Sequence, residues 1–323
     1  MEIFNLTLTQ MLVMFVLMLA GYILQKGKFL PENSSSVVSK ILVFVLSPAL
    51  TLSNQIKMCT PENLLSCSTL MLYSIVILAV AIVLSYALSA LIIKNRSKDP
   101  NSIYQRQIYK YAITFGNFAY MGNYIVLGIW GDAMLFKYLM FTFLMNATVL
   151  AWGVYILVPK SQNSKSMLSN LKTGLLTPPF LAMVLGIILG VTGASKFVPP
   201  FMTTALENAG NCMGPVAMLL AGMVVGEYDF NELLKNKKVY LTTLLRLIII
   251  PAIFVGALKL MGVAEEIVLL TLIAYATPMG LNTIVYPAAY GGDTKTGAAM
   301  TMISSILCVA TMPIMYYIFV VLL

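Results

Sequence analysis

Long apolar runs recur along the whole chain, and they restrict its fold more than any other feature of the sequence. Ten runs occur, at about 5–25, 37–56, 64–93, 108–130, 133–158, 174–193, 202–226, 239–260, 266–289 and 297–322. About 20 apolar residues in a helix cross the hydrocarbon core of a bilayer, where each backbone polar group needs a partner inside the protein. The sequence therefore predicts an all-α membrane protein with ten transmembrane helices.

Composition agrees with this assignment and excludes several classes of function. Only 10% of the residues are charged, whereas about a quarter are charged in an ordinary globular domain. The chain has no histidine, and its four cysteines form no CxxC pair. We therefore expect no metal site, no cofactor, no His-dependent triad and no enzymatic activity. The net charge of +8 is typical of basic cytoplasmic loops, so we expect no nucleic-acid partner.

Basic residues alternate between the two predicted sides of the membrane. Sixteen of the 20 lysines and arginines fall on one side, and the other side holds Lys57, Lys137, Lys196 and Lys259. Loops that are rich in lysine and arginine stay in the cytoplasm. We therefore expect a multi-pass protein of the cytoplasmic (inner) membrane with both termini outside.

The two halves of the chain share a pattern of proline and glycine. Pro48 in the second run matches Pro215 in the seventh, and "LGIWGD" in the fourth run matches "AAYGGD" in the ninth. Because five helices are an odd number, the two halves have opposite orientations, which is the inverted-repeat plan of many secondary transporters. The predicted units are a first repeat over 1–158, a cytoplasmic linker over 159–173 and a second repeat over 174–323.

The fourth and ninth runs are interrupted near their middles, at matching positions in the two halves. The interrupting residues are Gly116, Asn117, Gly122 and Asn123 in the fourth run and Thr277, Pro278, Gly280, Asn282, Thr283 and Pro287 in the ninth. Freed backbone groups are tolerated in hydrocarbon only when they are buried in protein or line a wet cavity. A matched pair of breaks predicts a transporter binding site, where half-helix N-termini suit an anion. The alternative is that these residues merely kink two helices.

Four further polar residues in or near the runs are candidates for a functional role. Asn146 lies within the fifth run and contacts either an anion or a neighbouring helix. Arg246, in the eighth run, holds an anion, caps a helix C-terminus or extends to the surface. Lys40 and Glu207 each lie eight residues before a helix proline, on opposite sides, and act as functional charges or as surface groups. No acidic residue lies at the centre of a run, which favours transport driven by the anion gradient and the membrane potential, with sodium coupling as the alternative.

Six motifs in order resemble the auxin efflux carrier family, the bacterial relatives of the plant PIN auxin exporters. They are "AGYILQKGKFL", "LSPALTLSN", "FGNFAYMGN", "GPVAMLLAG", the interrupted stretch "ATPMGLNTIVYPAAYGGD" and "ISSILCVATMPI". The chain has Asn123 where the fourth-helix motif of the family usually has proline. The break in that run therefore rests on Gly116 and Gly122.

The resemblance implies a ten-helix fold in which helices four and nine are broken and cross each other. It implies a scaffold, formed by 5–56 and 174–226, that often forms a homodimer, and a moving transport domain formed by 64–158 and 239–322. It also implies an organic anion as substrate, such as auxin in plants or malate and malonate in bacteria.

The resulting hypothesis is a carrier for a small carboxylate that works by elevator-type alternating access. Asn117, Asn123, Asn282 and the freed backbone around Pro278 would hold the carboxylate, while Pro48 and Pro215 would shape the facing scaffold wall. An anion channel of the same fold and a non-transporting sensor of a lipid or metabolite are the alternatives.

Overall fold

The chain is folded almost entirely into helices. A computed structural model describes residues 2–93, 100–158, 176–289 and 292–322. Within these ranges there is no β-strand, and one isolated antiparallel bridge joins Gly116 to Met279. The all-α prediction is confirmed, whereas the predicted linker at 159–173 lies outside the described residues.

The described part of the first half contains eight helices and three π-helical turns. The helices are α1 (Glu2–Lys26), α2 (Ser34–Ile41), α3 (Ser47–Met58), α4 (Pro61–Ser66), α5 (Ser68–Ile92), α6 (Pro100–Thr114), α7 (Asn123–Thr148) and α8 (Val154–Leu157). The π turns are Leu42–Leu46, Phe118–Gly122 and Val149–Gly153.

The second half begins, among the described residues, with a short helix and ends with a long one. Its helices are α9 (Pro178–Val191), α10 (Pro200–Asn211), α11 (Met213–Gly226), α12 (Phe230–Leu234), α13 (Lys237–Leu244), α14 (Ile250–Leu260), α15 (Glu265–Ala276), α16 (Asn282–Ala289) and α17 (Lys295–Tyr316). A 3₁₀ turn covers Ala194–Phe197, and π turns cover Leu245–Ile249 and Tyr317–Leu322.

Seven helical segments of the described chain are long and apolar enough to cross a membrane, so the protein is a multi-pass membrane protein. The sequence predicted ten. Helix α9 has 14 residues, and the ninth run is divided between α15 and α16. The fourth and fifth runs meet in α7 at Gly131, whose φ of 74° and ψ of −170° interrupt the helix. The inverted-repeat arrangement of ten spans therefore stays a prediction.

Glycines allow the helices of the two halves to pack with their backbones close together. A Cβ atom added at Gly222 of α11 would lie 1.8 Å from the carbonyl oxygen of Met18 in α1. A Cβ atom added at Gly190 of α9 would lie 2.4 Å from the carbonyl oxygen of Cys59 at the end of α3. These contacts bring α1 against α11, and α3 against α9 and α10, so that the first two helical spans pack on the later helices of the predicted scaffold.

Burial separates an outer layer from a central one. In α5, Leu72, Val76 and Val83 are exposed, as expected for a helix with one face toward lipid. In α15, by contrast, every residue from Ile267 to Ala276 is buried. A helix that is apolar and buried on all sides lies at the centre of a bundle, and α15 leads directly into the interrupted part of the ninth run.

Prolines follow π turns at two positions. Pro48 follows the turn at Leu42–Leu46, and Pro251 follows the turn at Leu245–Ile249. Proline has no N–H for the carbonyl four residues earlier and clashes with it, so a widened turn relieves the conflict. In α11, Pro215 is the third residue after the break at Cys212, where it likewise cannot donate to the preceding helix.

Candidate substrate-binding site

The interrupted parts of the fourth and ninth runs lie directly against each other. Helix α6 ends at Thr114 and the next turn begins at Phe118, while α15 ends at Ala276 and α16 begins at Asn282. The two non-helical segments, residues 115–117 and 277–281, are called the junction below. The backbone N–H of Asn117 donates to the carbonyl oxygen of Pro278 at 2.7 Å, so each break supplies a partner for the other.

Close packing at the junction explains two of the predicted glycines. A Cβ atom added at Gly116 would lie 2.5 Å from Arg246 Nη2, 2.6 Å from Thr277 Oγ1 and 2.9 Å from the carbonyl oxygen of Pro278. A Cβ atom at Gly280 would lie 3.0 Å from the carbonyl oxygen of Gly116. The junction therefore requires glycine on both sides because the two backbones touch.

Side chains from α17 and α7 satisfy further backbone groups around the junction. The N–H of Met279 donates to Ser304 Oγ at 2.9 Å, and the thiol of Cys308 donates to the carbonyl oxygen of Ala276 at 3.5 Å. The Tyr138 hydroxyl donates to the carbonyl oxygen of Phe118 at 3.1 Å. The freed backbone is thus held by polar side chains, as burial in hydrocarbon demands.

Arg246 is completely buried and does not extend to the surface. Its Nη1 donates to the carbonyl oxygens of Ile113 and Thr114, both at 3.4 Å, and its Nη2 donates to that of Ala274 at 3.0 Å. These acceptors lie at the C-terminal ends of α6 and α15. Of the roles considered from the sequence, the contacts fit that of a cap on helix C-termini.

A cavity of about 350 Å³ lies against the junction, and its size is that of a small-molecule site. It extends from the exposed side chain of Lys40 to the buried side chain of Asn123. Seven of the residues predicted from the sequence line it: Lys40, Gly116, Asn117, Asn123, Asn146, Gly280 and Asn282. The structure therefore brings together, in one cavity, residues from both interrupted runs, the fifth run and the second run.

The remaining predicted residues are not among those that line this cavity. They are Pro48, Gly122, Glu207, Pro215, Arg246, Thr277, Pro278, Thr283 and Pro287. Gly122 is instead a packing position, because an added Cβ atom would lie 2.2 Å from the Tyr138 hydroxyl oxygen. The Thr277 and Thr283 hydroxyls donate to the carbonyl oxygens of Ala274 and Gly280, respectively. These threonines therefore satisfy backbone acceptors at the junction and beside it.

The amide side chains in the cavity differ in how they are held. Asn117 is the N-cap residue of the turn Phe118–Gly122, and its side chain makes no capping hydrogen bond to that turn. The buried Oδ1 of Asn123 has no hydrogen-bond partner among the described residues. Asn282 Nδ2 donates to the Tyr111 hydroxyl at 2.9 Å, and Asn146 Nδ2 donates to the carbonyl oxygen of Thr142 at 3.1 Å. Asn117 and Asn123 therefore have unused capacity for a ligand, whereas the other two are oriented by neighbours.

The electrostatic character of the cavity favours an anion. Lys40 is the one lysine or arginine among the described lining residues, and none of those residues is an aspartate or a glutamate. Ala119 and Tyr120, in the first turn after one break, and Leu281 and Asn282, at the start of α16, also line it. The first N–H groups of a helix lack intrahelical partners and form the positive end of its dipole, so two such ends face the cavity.

Sequence reasoning missed much of the cavity wall. Ser47 and Thr51 contribute a polar strip from α3, and Phe44, Phe143 and Phe180 contribute aromatic surface. Ser47 and Thr51 lie four residues apart on one helix face, beside Pro48, and this spacing was a usable signal. The phenylalanines resemble any other apolar residue of a membrane span, so no signal in the sequence identifies them.

Beyond the cavity-lining residue Thr51, α3 is joined to α7 and α10 by polar contacts. Lys57 Nζ lies 3.3 Å from Asp132 Oδ2 and 3.0 Å from Glu207 Oε1. Asn54 Nδ2 donates to the carbonyl oxygen of Asp132 at 2.9 Å. Thr51 lines the cavity, and Asn54 and Lys57 follow it along the same helix. Glu207 therefore takes part in these contacts rather than in the cavity, and it lines a separate pocket with Lys57 and Asp132.

The family assignment rests on nearly the full length of the chain. Residues 6–316 match the family described as membrane transport protein. The chain belongs to the auxin efflux carrier family. The resemblance predicted from six motifs is thereby confirmed, and this is a family of membrane transport proteins rather than of enzymes.

Three curated proteins that resemble this auxin efflux carrier family member share one name, YfdV. The chain is 27% identical over 186 residues to the uncharacterized transporter YfdV of Escherichia coli strain K12, and equally to those of E. coli O157:H7 and Shigella flexneri. The match covers 54% of this chain and 55% of each relative. The chain thus spans about half the length of the curated relatives it matches.

Proposed function

We propose that this protein is a secondary transporter that moves a small organic anion, a carboxylate, across the cytoplasmic membrane. The observation that carries the proposal is the cavity at the junction, which has one lysine, no carboxylate and two helix N-termini among its described lining residues. A carboxylate would accept hydrogen bonds from the Asn117 amide and from the N–H groups at Ala119 and Leu281. The aromatic wall would contact the apolar part of the substrate.

Binding to purified protein tests this proposal. We expect malate, malonate or indole-3-acetate to raise the midpoint of thermal unfolding, and the corresponding uncharged amides to leave it unchanged, because binding stabilises the folded state. The variant Asn117→Ala should lose most of the response. The matched control is Asn231→Ala, an exposed asparagine of α12, which should respond as the wild type does. Equal responses to an acid and its amide would contradict an anion site.

The proposed mechanism is alternating access of the elevator type. Lys40, an exposed residue, lines the cavity. We propose that the ion pairs of Lys57 with Asp132 and Glu207 close the side opposite Lys40. Glu207 belongs to the predicted scaffold, and Lys57 directly follows its segment 5–56 on the same helix, α3. Asp132 belongs to the predicted transport domain. Movement of the transport domain past the scaffold would break the contact between Lys57 and Asp132 and open the cavity on that side.

We predict that Lys57→Met opens this closed side. The pair with Asp132, which joins α3 to α7, is partly exposed and contributes about 1 kcal/mol or less, so we expect opening to become more frequent by up to about fivefold. The measurement is labelling of Ser53→Cys, a buried residue beside the ion pairs, with an impermeant maleimide in a background in which the exposed Cys212 is serine. The control is Lys259→Met, whose partner Glu265, at 3.1 Å, lies in the same predicted domain. Equal labelling in the two variants would show that Lys57 does not close the cavity.

The proposed orientation follows from the basic loops. With Lys40 on the cytoplasmic side, the cavity opens to the cytoplasm, the ion pairs of Lys57 face outward and both termini lie outside. Helices α1, α3, α9, α10 and α11 would form the stationary scaffold and the surface of a homodimer.

A further inference from the structure

Arg246 has an unusual environment for a cation. Its side chain is fully buried, and no carboxylate pairs with it among the described residues. The ionisable groups around it are the phenols of Tyr111, Tyr138 and Tyr275 and the thiol of Cys308, which are neutral near pH 7. An isolated buried charge is very costly, so something else must balance this one.

The two helix C-termini at the junction supply that balance. The guanidinium donates to carbonyl oxygens at the end of α6 and near the end of α15, and the face of Tyr275 lies 5.1 Å from its central carbon. A helix C-terminus carries about half a negative elementary charge. Two of them together therefore match the single positive charge of one arginine.

We infer that Arg246 is the resident cation of the junction and occupies the position at which a transporter of this type would bind a coupling cation. Unwound backbone carbonyls and half-helix C-termini are the groups that coordinate sodium or accompany protons in broken-helix carriers. Here those carbonyls already accept hydrogen bonds from a side chain that cannot be deprotonated. The two helix N-termini remain available to the anion on the cavity side.

The consequence for coupling rests on the proposed function, whereas the role of Arg246 as a counter-cation does not. With the cation position permanently filled, the transported anion would move alone, driven by its own gradient and the membrane potential. The membrane potential, negative inside, then favours export of the anion. The junction would then carry opposite charges on its two sides: Arg246 permanently on one side, and the transported anion on the other while it is bound.

The first test separates charge from size at position 246. Arg246→Lys keeps a cation on a flexible stem, whereas Arg246→Met has a similar length and no charge. We expect the Lys variant to unfold several degrees above the Met variant. A Met variant as stable as the Lys variant, or more stable, would overturn the assignment, because a buried cation without a balancing charge is better replaced by an apolar side chain.

The second test removes the Arg246 side chain and supplies guanidinium ion from solution in its place. Arg246→Ala leaves a space bounded by the same carbonyl oxygens. Millimolar guanidinium chloride should raise the unfolding midpoint of this variant more than sodium chloride at equal ionic strength, and should not raise that of the wild type. Equal responses of the wild type and the variant to both salts would overturn the assignment.

The coupling is tested by transport. Uptake of the labelled anion into proteoliposomes should proceed at the same rate in sodium and in choline buffers and should change with an imposed potassium diffusion potential. A requirement for sodium would overturn the uncoupled mechanism. Absence of uptake of every anion would contradict the proposed function instead, and the comparison of the Lys and Met variants would still decide the role of Arg246.

Discussion

Gly116→Ala is expected to lower the free energy of unfolding by about 3–5 kcal/mol. The added methyl group would lie 2.5 Å from Arg246 Nη2 and 2.9 Å from the carbonyl oxygen of Pro278. Overpacking a rigid site costs about 1–3 kcal/mol, and displacing a charged donor from its acceptors costs about 1.5–3 kcal/mol more. For a chain of this size we expect the midpoint of thermal unfolding to fall by about 10 °C.

Gly256→Ala is the matched control for this prediction. Gly256 lies within α14, and apart from the neighbouring backbone of its own helix no atom lies within 4 Å of an added Cβ atom. Replacing glycine by alanine inside a helix is favourable by about 0.5–1 kcal/mol, so this variant should be as stable as the wild type or slightly more stable. A Gly116→Ala variant that unfolds at the same temperature as Gly256→Ala would show that the two backbones do not touch at the junction.

Asn117→Asp is expected to abolish anion transport while leaving the shape of the cavity almost unchanged. Two like charges about 4 Å apart repel by about 4 kcal/mol at an effective dielectric constant near 20, which corresponds to about a thousandfold loss of affinity. The measurement is the concentration dependence of carboxylate uptake. Asn231→Asp adds the same charge at an exposed position and should transport normally. Similar uptake by the two variants would place the anion somewhere else.

The general plan of the molecule was accessible from sequence because it depends on composition and on conformationally special residues. Apolar runs predicted the helices, and six motifs predicted the family. Gly116, Gly280 and Pro278 predicted where helices would stop, because these residue types act on the backbone itself. The contact between the two breaks, through Asn117 and Pro278, was accessible only as a hypothesis based on matched positions.

The partners of individual polar side chains could not be predicted from the sequence, because they depend on how each helix is rotated about its own axis. The sequence does not say which neighbouring helices Arg246 faces. Tertiary packing directs its side chain to the carbonyl oxygens of α6 and α15. Glu207 was considered as the counterpart of Lys40, but it lies beside Lys57 because α10 packs on α3. Tyr111 orients Asn282, yet in the sequence it is one of 17 tyrosines with nothing to distinguish it.

The ion pair between Lys57 and Asp132 has the same origin. The two residues are 75 positions apart, and Asp132 directly follows the interruption of α7 at Gly131. The sequence matched the "LGIWGD" and "AAYGGD" stretches, but the partner of the aspartate that ends each stretch was not predictable from either one.

Counterflow in proteoliposomes decides whether the protein carries carboxylates. Vesicles that contain the purified protein are loaded with an unlabelled carboxylate, and entry of the labelled form is followed for malate, malonate and indole-3-acetate in the wild type and in Asn282→Ala. We expect saturable accumulation of at least one of these anions in the wild type and a large reduction in the variant, because Asn282 lies at the start of α16 in the cavity wall. Absence of counterflow for every anion, in protein that unfolds cooperatively and is therefore folded, would contradict a carboxylate carrier.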